Sequence, residues 1–364
     1  MTKKRIAIIG TRGIPNRYGG FEQFAEQLSY HLYQLGFEVF VYNPHQHPYS
    51  QSTFNHVNII RKKLYEKQLG HLAHLLYDYA CLKDSIQQKF DAVVACGYGS
   101  MLPAFLFLPL RSTKLIINMD GLEWKRKRWH SLGKLLLKIS EKTAVGNPRH
   151  ILVTDHPEIQ RYLQKKYNRS SHYIPYGANI PQSFNQEAIA HYGLSAGNYF
   201  LLISRPIAEN NIHTILSGFA QSNSTKQFVI ITNINDPYTR KLIKTYRHDS
   251  RFVFLANVYE QEVLNNLRYF SAAYFHGHSV GGTNPSLLEA MASQCLIMAH
   301  DNVFNKTILK NNAYYFSTRN DIRHFVENIS MHQEQKEHFV TENLQTIATH
   351  YQWGNIAKLY AKLV

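Results

Sequence analysis

The sequence predicts an α/β protein built from two doubly wound domains, and three observations carry that expectation. Its 364 residues exceed what one hydrophobic core comfortably holds, at about 150 residues per domain. Short apolar runs alternate with helical patterns along the chain, which is how parallel sheets with crossover helices read. Hydrophobic residues make up 44% and charged residues 18%, with no long Gly/Ser/Pro tract, so a packed core is expected throughout.

Taken in order, the strands expected in the first half are Ile6 to Ile9, Val39 to Tyr42, Ala92 to Ala95 and Leu115 to Asn118. In the second half they are Phe200 to Ile203, Phe228 to Ile231, Phe252 to Leu255, Ala272 to Phe275 and Leu296 to Ala299. Pro and Gly punctuate the pattern at Tyr173-Ile174-Pro175-Tyr176-Gly177. That places one domain at 1–178 and a second at 179–345, with 346–364 as a C-terminal helix packing back on the first domain. The segment from Gln333 to Val364 reads as helix.

Forty Lys and Arg against 25 Asp and Glu give a net charge of +15, which suits phosphate-bearing ligands, nucleic acid or an anionic membrane surface. No helix-turn-helix, RNP-like or zinc pattern supports the nucleic-acid alternative. Cys81, Cys96 and Cys295 are scattered and apolar-flanked, as buried thiols in a reducing compartment would be, and they indicate neither a disulfide framework nor a metal site. Met1-Thr2-Lys3-Lys4-Arg5 leads straight into a strand, and nowhere do about 18 apolar residues run uninterrupted. The expected location is the cytoplasm, or a peripheral position on the inner face of the cell membrane.

Two loops carry candidate chemistry. The first strand ends at Gly10, followed by Arg12, Gly13, Tyr18, Gly19 and Gly20, and then by a helix with Phe21, Phe24, Ala25, Leu28 and Leu32 on one face. A glycine-rich loop before a helix N-terminus exposes amide groups and a positive dipole end to a phosphate or a sugar. Its spacing matches neither a dinucleotide fingerprint nor a P-loop. A plain tight turn is the alternative. The second loop is Phe275-His276-Gly277-His278-Ser279-Val280-Gly281-Gly282-Thr283-Asn284-Pro285. Asn284 is suited to cap the following helix and Pro285 to occupy its first position, while Leu287, Leu288 and Met291 form its buried face. Glu289 falls about one turn inside, where its carboxylate can accept hydrogen bonds from two hydroxyls of a ribose. A capping or surface role is the alternative there, although an unpaired carboxylate in so apolar a helix is costly.

These segments, together with Asp120-Gly121-Leu122-Glu123-Trp124-Lys125-Arg126, Ile174 to Ala178 and Ile203-Ser204-Arg205 with Glu209-Asn210-Asn211, resemble the GT-B glycosyltransferases of family 4 over nearly the whole chain. The nearest likeness is to the bacterial rhamnosyltransferase-like branch that makes surface polysaccharides. The resemblance implies two Rossmann-like domains facing across a cleft and a retaining transfer from a nucleotide-diphosphate sugar. It implies no cofactor and no metal. The implied acceptor is a saccharide or lipid-linked saccharide, handled at an anionic membrane surface.

Residue by residue, the resemblance assigns Gly20, Arg205, Gly281, Gly282, Thr283, Asn284 and Glu289 to the donor, and Arg12, Tyr18, Gly19, Lys125 and Arg126 to the acceptor side. Two positions depart from the family pattern. The first of its two glutamates is Gly281 here, and the lysine that follows its arginine is Asn210. The diphosphate then relies more on the planar fork of Arg205 and on the amides of Gly282 and Thr283.

Asp120 has two readings, a cleft residue that orients the acceptor hydroxyl or touches the sugar, and a turn cap. His276 and His278 are placed to contact donor sugar or phosphates, or simply to pack. The basic run Lys125-Arg126-Lys127-Arg128, with Trp129 and the leucines at 132, 135 and 136 beyond it, suits an anionic membrane face, and a solvated helix face is its alternative. A sugar-nucleotide epimerase of the same fold and a non-catalytic nucleotide-sugar-binding subunit are the rival functions.

Overall fold

The computed structural model describes residues 3–70, 72–126, 129–256 and 258–364. The chain forms two compact units, Met1–Gly177 with Trp353–Val364, and Ala178–Gln352. The first holds strands β1 Arg5–Ile9, β2 Glu38–Pro44, β3 Thr53–Phe54, β4 Val57–Lys62, β5 Ala92–Cys96, β6 Lys114–Asn118, β7 His150–Thr154 and β8 His172–Tyr173. Their order is β3-β4-β2-β1-β5-β6-β7-β8, and all pairs are parallel except β3 with β4. The second holds β9 Tyr199–Ile203, β10 Gln227–Ile231, β11 Phe252–Leu255, β12 Ala273–His276, β13 Ile297–His300 and β14 Tyr314–Phe316, all parallel, in the order β11-β10-β9-β12-β13-β14.

Every apolar run expected as a strand is one. The sequence pattern missed β3, β4, β7, β8 and β14, which are either only two or three residues long or interrupted by polar side chains such as Asn58 and His150. The central strands β1, β5, β9 and β12 are buried almost completely, because helices cover both faces of each sheet. Strand order reverses between β1 and β5 in one unit, and between β9 and β12 in the other. Doubly wound sheets bind ligands at these reversal points, outside the carboxyl ends of the strands.

The C-terminal segment differs from expectation. Helix Lys336–His350 ends at Tyr351, whose carbonyl accepts the Ala178 amide at 2.7 Å, and a separate helix Trp353–Ala361 follows. That last helix packs on helix Gly20–Gln34 of the first unit, with Phe24 lying 6.1 Å from the Trp353 ring and 5.7 Å from Tyr360. All three cysteines are buried and free.

Candidate functional site

At the reversal point of the second unit, the loop after β9 and the loop after β12 are zipped together. Ser279 donates from both its amide (3.0 Å) and its hydroxyl (2.7 Å) to the Glu209 carbonyl, and the Asn211 side chain donates to the Gly277 carbonyl at 2.8 Å. Gly277 is required here, since a Cβ on it would lie 1.9 Å from the Asn210 carbonyl oxygen. From the other side, Asn302 and Asn305 both donate to the His278 carbonyl at 3.0 Å. Three neighbouring strand-end loops therefore hold one another in place.

Asn210, standing where the family pattern has lysine, is buried within this brace. Its side-chain amide donates to the Arg205 carbonyl at 2.9 Å, leaving its oxygen 2.9 Å from His278 Nδ1. That oxygen can only accept, so the network assigns the proton to Nδ1 of His278. Arg205 itself is exposed, on the turn directly after β9. Gly281 has φ of 133°, a conformation that side chains rarely adopt, so the glutamate of the wider family pattern would strain this backbone. Asn284 caps helix Pro285–Ala292, accepting the Ser286 amide at 2.9 Å, with Pro285 in the first turn.

Glu289 sits one turn in, and its side chain is 15% exposed. It is ion-paired, with Oε2 lying 2.5 Å from Nη2 of Arg268, a residue 1% exposed on helix Gln261–Tyr269. Nothing in the sequence pointed to Arg268, which lies on the helix before β12 with no motif around it. His276, at the end of β12, is buried and its Nε2 has no partner. Burial, helped by the nearby charge of Arg268, holds its pKa down to about 3, so it is a neutral ring. It packs inside the unit and does not offer a charge to a ligand.

In the first unit, the loop after β1 is closed on itself. Arg12 N–H donates to Glu22 and Asn16 N–H to Glu26, both at 2.7 Å, while Ile14 N–H donates to Asn43 and Tyr18 N–H to Asn16. The amides expected to face a phosphate are in large part already used. Gly19 precedes helix Gly20–Gln34 without a side-chain cap. The Arg12 guanidinium stacks 4.1 Å from the Tyr18 ring centroid and reaches Glu66 at 2.9 Å. Asp120 follows β6 with φ of 46°, its amide donating to Asn118 at 3.0 Å. Its carboxylate bears electrostatically on Cys96, Tyr98 and Tyr176.

The basic run divides. Lys125 is exposed, but Arg126 is 6% exposed and its Nε lies 2.6 Å from Glu123, so it is not a surface charge. Lys127 and Arg128 lie outside the described residues. Trp129 packs against Gly133 and donates to Glu123 at 3.2 Å.

Structural relatives support the topology. A sucrose-phosphate synthase from Thermosynechococcus elongatus matches with a TM-score of 0.81 at 16% identity, over 99% of this chain and 98% of that one. Anabaena HepE, solved with UDP and glucose, matches at 0.75 and 12% identity over 99% of both chains. TarM of S. aureus, solved with fondaparinux, α-GlcNAc-glycerol and UDP, matches at 0.74 and 10% identity over 100% of this chain and 99% of that one. The fold is GT-B.

Within this GT-B chain, a family model described as a domain of unknown function, DUF1972, matches residues 3–179. No curated protein sequence matches it. Among the described residues, no group of three or more His, Cys, Asp or Glu side chains is placed to hold a metal ion.

Proposed function

We propose that the chain is a metal-independent, retaining glycosyltransferase. It moves a sugar, rhamnose by family resemblance, from a nucleoside-diphosphate donor to a lipid-linked saccharide during surface-polysaccharide assembly. The observation that carries this reading is the reversal point of the second unit. Locked loops present a capped helix start with the Glu289 carboxylate one turn inside it, and the exposed Arg205 follows the adjacent strand β9. HepE, which shares the fold, was solved with UDP-glucose, and this supports a nucleoside diphosphate at that position.

In the transfer, the bond from the anomeric carbon to the diphosphate oxygen breaks, and a bond to the acceptor oxygen forms on the same face. The acceptor's proton passes to the departing phosphate oxygen. Charge grows on that diphosphate, and the Arg205 fork and the helix dipole stabilise it. Asp120 and His278 are the groups proposed to orient acceptor and donor sugar.

A lipid-linked acceptor is favoured by the outer face of helix Ser131–Gly146. Leu132, Leu135, Leu136 and Ile139 are exposed on it, while Ser140 and Glu141 are buried. The neighbouring helices add exposed Leu72, Leu76, Leu106 and Phe107 to the same layer. An apolar face this large with Lys125, Lys138 and Lys142 exposed nearby suits an anionic bilayer. No helix among the described residues is long and apolar enough to cross one.

The test is turnover by the purified chain with dTDP-rhamnose or UDP-glucose and a short lipid-linked acceptor. Transfer is expected to survive EDTA and to fall at least about tenfold in Arg205→Lys, where charge remains but the fork is lost. Loss with EDTA reversed by magnesium, wild-type turnover in the variant, or no transfer from any nucleotide sugar would each overturn the reading.

A further inference from the structure

The structure assigns a positioning role to Arg268: it holds Glu289 in the orientation that reads the hydroxyls of the donor's sugar–nucleoside. This rests on the donor-site reading above and adds a residue to it. The Arg268 guanidinium is 1% exposed, and among the described residues its Nε has no hydrogen-bond partner and its other bonds beyond Glu289 go to Ser286 Oγ and Asn265 Oδ1, both at 3.4 Å. A cation buried on such terms contributes little to stability, because desolvation offsets most of the attraction, and an apolar side chain of similar size would serve the core as well.

What the pair does achieve is geometric. Arg268 stands on the helix entering β12 and Glu289 on the helix leaving it, so the ion pair ties together the two helices that flank the ligand loop's strand in sequence. Glutamate has a flexible side chain that is otherwise free to swing. Fixing Oε2 at 2.5 Å from Nη2 restricts the carboxylate while leaving Oε1 outside that contact, on a side chain 15% exposed. Ser286 Oγ, 3.4 Å from Arg268 Nη2, is in turn held by Tyr274 OH at 2.8 Å.

The experiment compares affinities for UDP, 2′,3′-dideoxy-UDP and inorganic pyrophosphate in wild type, Glu289→Gln, Arg268→Met and Arg268→Lys. Wild type is expected to prefer UDP over the dideoxy analogue by about tenfold or more, the value of a hydrogen bond to a charged acceptor. Arg268→Met should lose most of that preference, as Glu289→Gln does, with pyrophosphate affinity unchanged within about twofold. Arg268→Lys should recover part of it. If wild type and Glu289→Gln fail to differ in preference, the ribose reading itself falls. If Glu289→Gln loses the preference but a folded Arg268→Met keeps it, the positioning role falls. Should Arg268→Met not fold, an unchanged preference in Arg268→Lys overturns the role equally.

Discussion

The two reversal points have the same topology but are held in different ways. In the second unit the loops are fixed by neutral groups, with carbonyl oxygens of Glu209, Gly277 and His278 accepting from side-chain amides and a serine. In the first unit carboxylates share the holding with the neutral side chains of Asn16 and Asn43. Glu22 and Glu26 take up loop amides, and Glu141, 1% exposed at its side chain, accepts from Tyr162 (2.6 Å), Tyr167 (2.6 Å), Trp124 (2.9 Å), Lys166 (3.1 Å) and Tyr98 (3.2 Å). Neutral bracing adds no negative charge where a diphosphate is proposed to sit. Glu22 and Glu26 in the first unit are engaged with amides of the loop that precedes their helix.

The largest expected effect breaks the neutral brace. Gly277→Ala forces a Cβ against backbone and should cost about 3 kcal/mol or more, read as a lowered denaturation midpoint together with lost nucleotide binding. If binding survives at wild-type affinity, the brace does not shape the site.

Next comes Glu141→Gln, which leaves Lys166, three tyrosines and Trp124 without their anion and should cost about 2–4 kcal/mol at pH 7. Burial pushes the Glu141 pKa up, but the hydrogen bonds from Tyr162, Tyr167, Lys166 and Trp124 outweigh it and hold it below the usual range. Its contribution is therefore present above the unfolded value near 4.5 and lost as pH falls. The gap between wild type and variant should narrow on acidification, and a constant gap would contradict the anionic brace.

The smallest effect runs the opposite way within the same unit. Burial raises Asp78, which accepts a hydrogen bond from Ser100, to about 6 from 3.8. A raised carboxylate contributes stability below its unfolded value and loses it as pH rises through the folded one. Asp78→Asn should therefore match wild type near pH 4 and exceed it at pH 8 by roughly 2 kcal/mol, measured by urea denaturation at both values. No gain at pH 8 would mean that Asp78 is ionised at no cost.

Much of this was legible in the sequence, and for identifiable reasons. Strands buried on both faces announce themselves as unbroken apolar runs, so β1, β5, β9 and β12 were plain. The Asn284-Pro285 helix start follows from local capping chemistry and was plain too. Partners far apart in sequence were not. Arg268 meets Glu289 across 21 positions and Asn210 meets His278 across 68, and neither pairing leaves a periodic trace. The basic run misled in part because Arg126 has an acid three residues before it, and that local pairing took it out of the surface. Gly281 and Asn210 look like deletions of function in the sequence. In the structure one holds a backbone turn and the other a brace.

The three tryptophans, at positions 124, 129 and 353, all belong to the first unit, and residues 178–352 contain none. Trp124 donates to Glu141 and lies under the ammonium of Lys138 at 4.9 Å, while Trp353 is 2% exposed against Phe24. Indole emission therefore reports unfolding of one unit selectively, and far-ultraviolet dichroism reports both. A denaturation followed by the two signals separates the stabilities of the halves in the natural sequence, with no label introduced. It also shows directly which brace each substitution has broken.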